Sequence, residues 1–72
     1  MADHLDLRGV PCPLSWAKAK IILEDLEYGA TVTLLLDDPR AARDLPRAAE
    51  AEGHGVLEVI EADGLWRIVI EK

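Results

Sequence analysis

The apolar residues of this chain switch repeatedly between a spacing of two and a spacing of three to four, and that alternation limits the fold more than any other feature. Leu5 and Leu7 alternate with Asp6 and Arg8, the period of a half-buried strand. Gly9-Val10-Pro11 breaks it. From Pro13 to about Leu26 the spacing is helical: Trp16, Ala19, Ile22, Leu23 and Leu26 share a stripe, and Lys18, Lys20, Glu24 and Asp25 face away from it. Gly29 is expected to stop that helix, near the C-terminal position where only glycine takes a left-handed conformation cheaply.

Thr31 to Leu36 reads as a second strand, with Val32, Leu34 and Leu36 on one face and Thr31 and Thr33 on the other. Asp37-Asp38-Pro39 then offers a capping carboxylate and a proline suited to a first helical turn. Asp44 is read as the cap of a further helical stretch through Leu45, Ala48, Ala49 and Ala51, with Pro46 tolerated in its first turn, and Gly53 ends it. Val56 to Glu61 and Leu65 to Glu71 are two more strands joined by a tight turn at Asp63-Gly64. The order β-α-β-α-β-β predicts a mixed four-stranded sheet. Its helical crossovers join parallel neighbours, and both helices pack on one face. Leu35, Val56, Ile60, Leu65 and Val69 are expected to lie partly on the other face as an apolar patch.

With 72 residues the chain makes a single domain, residues 1–72, with a thin core. Half of its residues are apolar, which argues against disorder. So small a domain has little room for an enclosed cavity of roughly 300–1,000 Å³, so any chemistry belongs at the surface, in work with other proteins. The net charge of −6, without a basic cluster, argues against direct nucleic-acid binding; it steers the chain towards basic patches on partner proteins, or, on the plainer reading, simply keeps a small protein soluble. No stretch reaches the roughly 20 apolar residues of a membrane span. The polar start Met1-Ala2-Asp3-His4 is unlike a secretory signal, and a lone cysteine makes no internal disulfide, so the chain is read as cytoplasmic. His4 and His54 do not combine with the cysteine in a zinc spacing, and no metal site is expected; His54 is read as a residue of a helix end, and Trp16 and Trp66 as core.

Pro11-Cys12-Pro13 is the most informative stretch. The two prolines lack amide hydrogens and stiffen the backbone, and Pro13 is preset for a first helical turn. That places Cys12 at the N-cap, in a strand-to-helix loop near the surface. A helix N-terminus offers a negative charge only ~0.3–1 kcal/mol, less than the roughly 1.4 kcal/mol of a tenfold change in ionisation. The surrounding carboxylates oppose even that, so the free thiol is expected to be mostly protonated at neutral pH. Such a sulfur suits a carrier activated in a partner's active site better than an autonomous enzyme. Asp6 and Arg8 flank the loop as an electrostatic or partner contact, of which only Arg8 favours a thiolate; the plainer reading is a solvated pair.

Asp6-Leu7-Arg8-Gly9-Val10-Pro11-Cys12-Pro13 is similar to the D-x-x-G-x-x-C-P signature of the TusA/SirA/YedF group of small sulfur-carrier proteins. The resemblance continues through Gly29, Asp37-Asp38-Pro39, Asp44-Leu45-Pro46 and Gly53-His54 to Ile70-Glu71-Lys72. It implies a two-layer α/β (α+β) sandwich that carries a persulfide on Cys12, with Gly9, Pro11, Pro13 and Ser15 supporting the loop and helix start. Sulfur would come from a cysteine desulfurase or a rhodanese-type donor. It would pass to an acceptor protein for tRNA thiolation, cofactor assembly or sulfur metabolism, with no cofactor and with the chain as a monomer. The chain departs from the group's C-P-x-P pattern at Ser15, which restores an amide hydrogen and offers a hydroxyl for a local hydrogen bond. The alternative is a non-catalytic interaction or regulatory module of the same fold. A thiol redox enzyme is disfavoured because no second cysteine resolves an oxidised first one.

Overall fold

The β-branched and leucine residues from Thr31 to Leu36 build the strand on which the rest of the sheet assembles. In a computed structural model, which describes residues 3–11 and 14–72, this is β2 (Thr31–Leu36). Around it lie β1 (Asp3–Asp6), α1 (Leu14–Asp25), α2 (Pro39–Ala51), β3 (Gly55–Ala62) and β4 (Leu65–Glu71), in the expected β-α-β-α-β-β order. The sheet is mixed and runs β1-β2-β4-β3. β1 is parallel to β2, and β4 is antiparallel to both β2 and β3.

The expectation that both helical crossovers join neighbouring strands holds for α1 and fails for α2. β4 inserts between β2 and β3, so the strands that α2 connects do not touch. Burial accounts for the insertion. Ile68 and Ile70 of β4 are fully buried, whereas β3 carries Glu58 and Glu61 and is exposed along most of its length. A strand with charged side chains and a bulge between Val56 and Glu58 is suited to an edge, where both features discourage pairing with another chain.

One face of the sheet presents Val32, Leu34, Leu36, Ile68 and Ile70 to both helices. Ala19 and Leu23 of α1 and Ala41, Leu45 and Ala49 of α2 meet them, and this is the buried core. The alanines let two helices sit close to a small sheet, and Lys20 of α1 spans to Glu52, just past α2, at 2.9 Å. Trp16 and Trp66 pack half-buried against the same cluster. The helix-free face carries Leu35 and Val69, with Ile60 at 42% and Leu65 at 37% exposure. Val56 is not on it. Its partner in register is the buried Ile70, and it packs against the core from the helix side.

The ends of the elements follow from single residues. Asp38 is the N-cap of α2, its Oδ1 accepting the Arg40 amide at 3.0 Å, and Pro39 opens the helix. Asp44 therefore caps nothing. It lies inside α2 beside Arg43, and Pro46 sits in the helix interior, where it supplies no amide to the helix ladder. The reading of Asp44 as a start fails because the Asp38-Pro39 pair, with alanines following, already nucleates the helix one turn and more earlier. At the other end Gly53 adopts φ +89°, while its amide and that of His54 donate to the carbonyls of Glu50 and Ala49, a Schellman closure. Gly29, also at φ +89°, is not the cap of α1: it is the third residue of a turn closed by the Ala30 amide on the Glu27 carbonyl. Asp63 and Gly64 both have positive φ, the demand of a two-residue hairpin turn.

Candidate functional site

β1 and β2 run parallel, so their carboxyl ends open on the same edge of the sheet, where the chain leaves one for α1 and the other for α2. A crevice beyond the ends of parallel strands is where open α/β sheets usually place their sites. Here the two departing segments lie side by side. Gly9, Val10 and Pro11 face Asp37, Asp38 and Pro39 across a shallow depression of about 360 Å³.

The first segment is a turn. The Val10 amide donates to the Leu7 carbonyl at 3.1 Å, and Gly9 in the third position has φ +78°, the geometry of a type II turn. Leu7 is buried and anchors the base, its amide donating to the Leu35 carbonyl at 2.8 Å. Arg8, Gly9 and Pro11 are exposed. The hydrophobic residue thus turns inward while the loop leading to Cys12 stays at the surface. Cys12 and Pro13 themselves, with the N-cap and first-turn assignments made for them, lie outside the described residues. Their chain neighbours Pro11 and Leu14 are both exposed, Leu14 at 55%.

Asp6 and Arg8 are held by each other. Asp6 Oδ1 accepts from the Arg8 amide and from Nε, both at 3.0 Å, and Oδ2 accepts from Nη2 at 2.7 Å. The guanidinium hydrogen bonds, followed by the amide bond, hold the Asp6 carboxyl down from 3.8 to about 2. Both side chains are exposed, so the pair orders the turn more than it stabilises the fold. It is fully formed above about pH 3.8 and is lost as the pH falls through about 2. A carboxyl titration by NMR is expected to place Asp6 near 2 in the native chain and to return it towards 3.8 in Arg8→Ala. An Asp6 that titrates normally beside an intact Arg8 would contradict the pairing.

Ser15 stands in the first turn of α1 and is fully buried. Its restored amide is used, donating to the Pro11 carbonyl at 3.1 Å, a bond that a proline at this position could not make. Its hydroxyl Oγ has no hydrogen-bond partner among the described residues. A buried hydroxyl without a partner costs about 1–3 kcal/mol. Ser15→Ala is accordingly expected to raise stability by about 1 kcal/mol, read as a higher urea midpoint with an unchanged slope. A lower midpoint would show that the hydroxyl is bonded.

Asp37, which as sequence looks like a helix cap in the same way as Asp38 and Asp44, is a further residue that the structure places elsewhere. It is not a helix cap. Asp38 fills that role, and Asp37 Oδ1 reaches across the depression to accept the Gly9 amide at 2.9 Å. Two aspartates before a proline, where a cap needs one, were the available signal.

Among the described residues no group of three or more His, Cys, Asp or Glu side chains is placed to hold a metal ion. None of the described helices is long and apolar enough to cross a membrane. A second depression, of about 310 Å³, lies on the helix-free face between His4, Asp6, Thr33, Leu35 and Arg67.

These features define a class: a small two-layer α+β domain whose first strand leads, through an exposed glycine turn, into the segment that precedes its first helix. The family model described as Sulfurtransferase TusA matches residues 3–72. A candidate sulfur carrier protein of Archaeoglobus fulgidus is 39% identical over 71 residues, covering 97% of this chain and 81% of that protein. The sulfur carrier protein TusA of Allochromatium vinosum is 31% identical over 75 residues, covering 100% of this chain and 99% of its own. The crystal structure of a SirA-like protein from Desulfitobacterium hafniense superposes with a TM-score of 0.85 at 33% identity, covering 99% of this chain and 96% of the other. The chain belongs to the TusA family.

Proposed function

We propose that this protein is a cytoplasmic sulfur carrier that holds a terminal sulfur as a persulfide on Cys12. The observation that carries the reading is the family match from residue 3 to residue 72, which spans Cys12 and the turn leading to it. In the transfer, the Cys12 thiolate attacks the outer sulfur of a donor persulfide. A new S–S bond forms on Cys12, the donor's S–S bond breaks, and the donor cysteine leaves as a thiolate. The reverse exchange on an acceptor thiolate discharges it. No net electrons enter or leave, so neither step calls on a redox cofactor.

The donor is of the cysteine desulfurase or rhodanese type, and the acceptor is a protein of tRNA thiolation, cofactor assembly or sulfur metabolism. An exposed loop suits this role because the sulfur has to enter two different active sites in turn. The chain's net charge of −6 favours donors and acceptors with basic docking surfaces. The test is direct loading: incubation with a cysteine desulfurase, cysteine and pyridoxal phosphate, and in parallel with a persulfidated rhodanese, followed by intact mass. One added sulfur atom that a reductant removes is the expected product. No gain from either donor would overturn the reading.

One observation favours a second reading, a non-catalytic docking module: the exposure of Leu57, Val59, Ile60 and Leu65 on the β3–β4 hairpin. If it holds, partner binding survives Cys12→Ala unchanged.

A further inference from the structure

Asp37 has a carboxylate that the start of α2 does not use. Asp38 caps that helix, and Asp37 points back to the neighbouring loop, where its Oδ1 accepts the Gly9 amide at 2.9 Å across 28 positions of sequence. The tip of the turn has no other such tie. Among the described residues the Arg8 amide bonds within the segment, to Asp6, and the Val10 amide bonds to Leu7. Of the Arg8, Gly9 and Val10 amides, only that of Gly9 reaches a different part of the chain among the described residues. The geometry at that point is demanding, because Gly9 sits at φ +78° and the chain must pass from a buried Leu7 to an exposed Pro11 within four residues.

We propose that Asp37 is a positioning residue for the loop that leads into Cys12: through the Gly9 amide it ties that loop to the head of α2. The two strands that carry the partners are parallel neighbours, with Asp6 of β1 opposite Leu35 of β2. The tie therefore bridges segments that already leave the sheet together, and it fixes the loop on a second side where Leu7 alone would leave it hinged.

The inference rests on the reading of Cys12 as the reactive group, and its test does not use sulfur transfer, so the two can fail separately. Asp37→Ala and Asp37→Asn are compared with the native chain. Asparagine keeps an acceptor oxygen for the Gly9 amide and removes the charge, whereas alanine removes both. The Gly9 amide is followed by hydrogen exchange, with the Ala19 amide in the core of α1 as a control for global opening. The pH profile of Cys12 alkylation by iodoacetamide is followed by intact mass. In Asp37→Ala the Gly9 amide is expected to exchange about three- to tenfold faster, the loss of one modest hydrogen bond, while Ala19 is unchanged. Alkylation at neutral pH is expected to shift differently in the two variants, Asp37→Asn reporting the lost charge alone and Asp37→Ala the lost charge together with the lost tie. Asp37→Asn is expected to retain native exchange at Gly9, and its alkylation profile to move only by the effect of the lost charge. Alanine leaving both readouts native would overturn the proposal. So would asparagine moving the alkylation profile as far as alanine, because the charge and not the tie would then be responsible.

Discussion

Replacing Cys12 with serine is expected to abolish sulfur loading completely. The native chain should gain one sulfur atom in intact mass on incubation with a persulfide donor, and Cys12→Ser none. A hydroxyl at that position is ionised far less readily than a thiol and cannot hold a sulfur that returns to a thiolate. Because Cys12 is the only cysteine of the chain, no other side chain can take over the load. The effect is all or none, and the fold should be indifferent to it, since thiol and hydroxyl differ little in volume. The same thermal transition with no sulfur gain is the expected pair of results. Sulfur gained by the serine variant to the native extent would place the carried atom elsewhere and remove the role proposed for the loop.

The largest expected effect on stability is at Leu34. It is fully buried at the middle of β2, opposite Leu5 of β1 on one side and Ile68 of β4 on the other. Leu34→Ala removes the centre of the core without a neighbour able to fill the space, and such truncations cost about 2–5 kcal/mol. A domain of this size is stabilised by about 4–11 kcal/mol in total. The variant is therefore expected to lose between about a fifth and all of its stability, with an equilibrium urea midpoint lowered in proportion. Thr33→Ala, on the helix-free face of the same strand, should change it by less than about 1 kcal/mol. Equal losses at the two positions would mean that the core does not lie on one side of the sheet.

These two residues mark different kinds of legibility. The alternation Val32-Thr33-Leu34-Leu35-Leu36 states in advance which side of β2 is buried, because side chains of a strand alternate regardless of what packs on them. The order of elements, the helix-bearing face and the hairpin at Asp63-Gly64 follow from the same local rules. The motif around Cys12 could be read for the same reason: glycine, proline and cysteine each act on the backbone or the chemistry within a few residues.

Local rules decide less where several elements compete for one place. Asp37, Asp38 and Asp44 are alike as sequence, and all three could cap a helix. Only the assembled sheet shows that Asp38 caps α2, that Asp44 lies inside it and that Asp37 binds Gly9. Val56 shows the same limit, since the β3 bulge puts it on the core side.

What the amino-acid sequence determined by itself, then, is the set of elements, the buried stripe of each, and the presence of one cysteine in a proline-flanked loop. Those depend on backbone sterics and on periodicity, which act over a few residues. What the tertiary structure decided is the position of β4 between β2 and β3 and the meeting of the Gly9 turn with Asp37. Both depend on which surfaces are left to bury or to bond once the elements have packed, and no short stretch of chain contains that information.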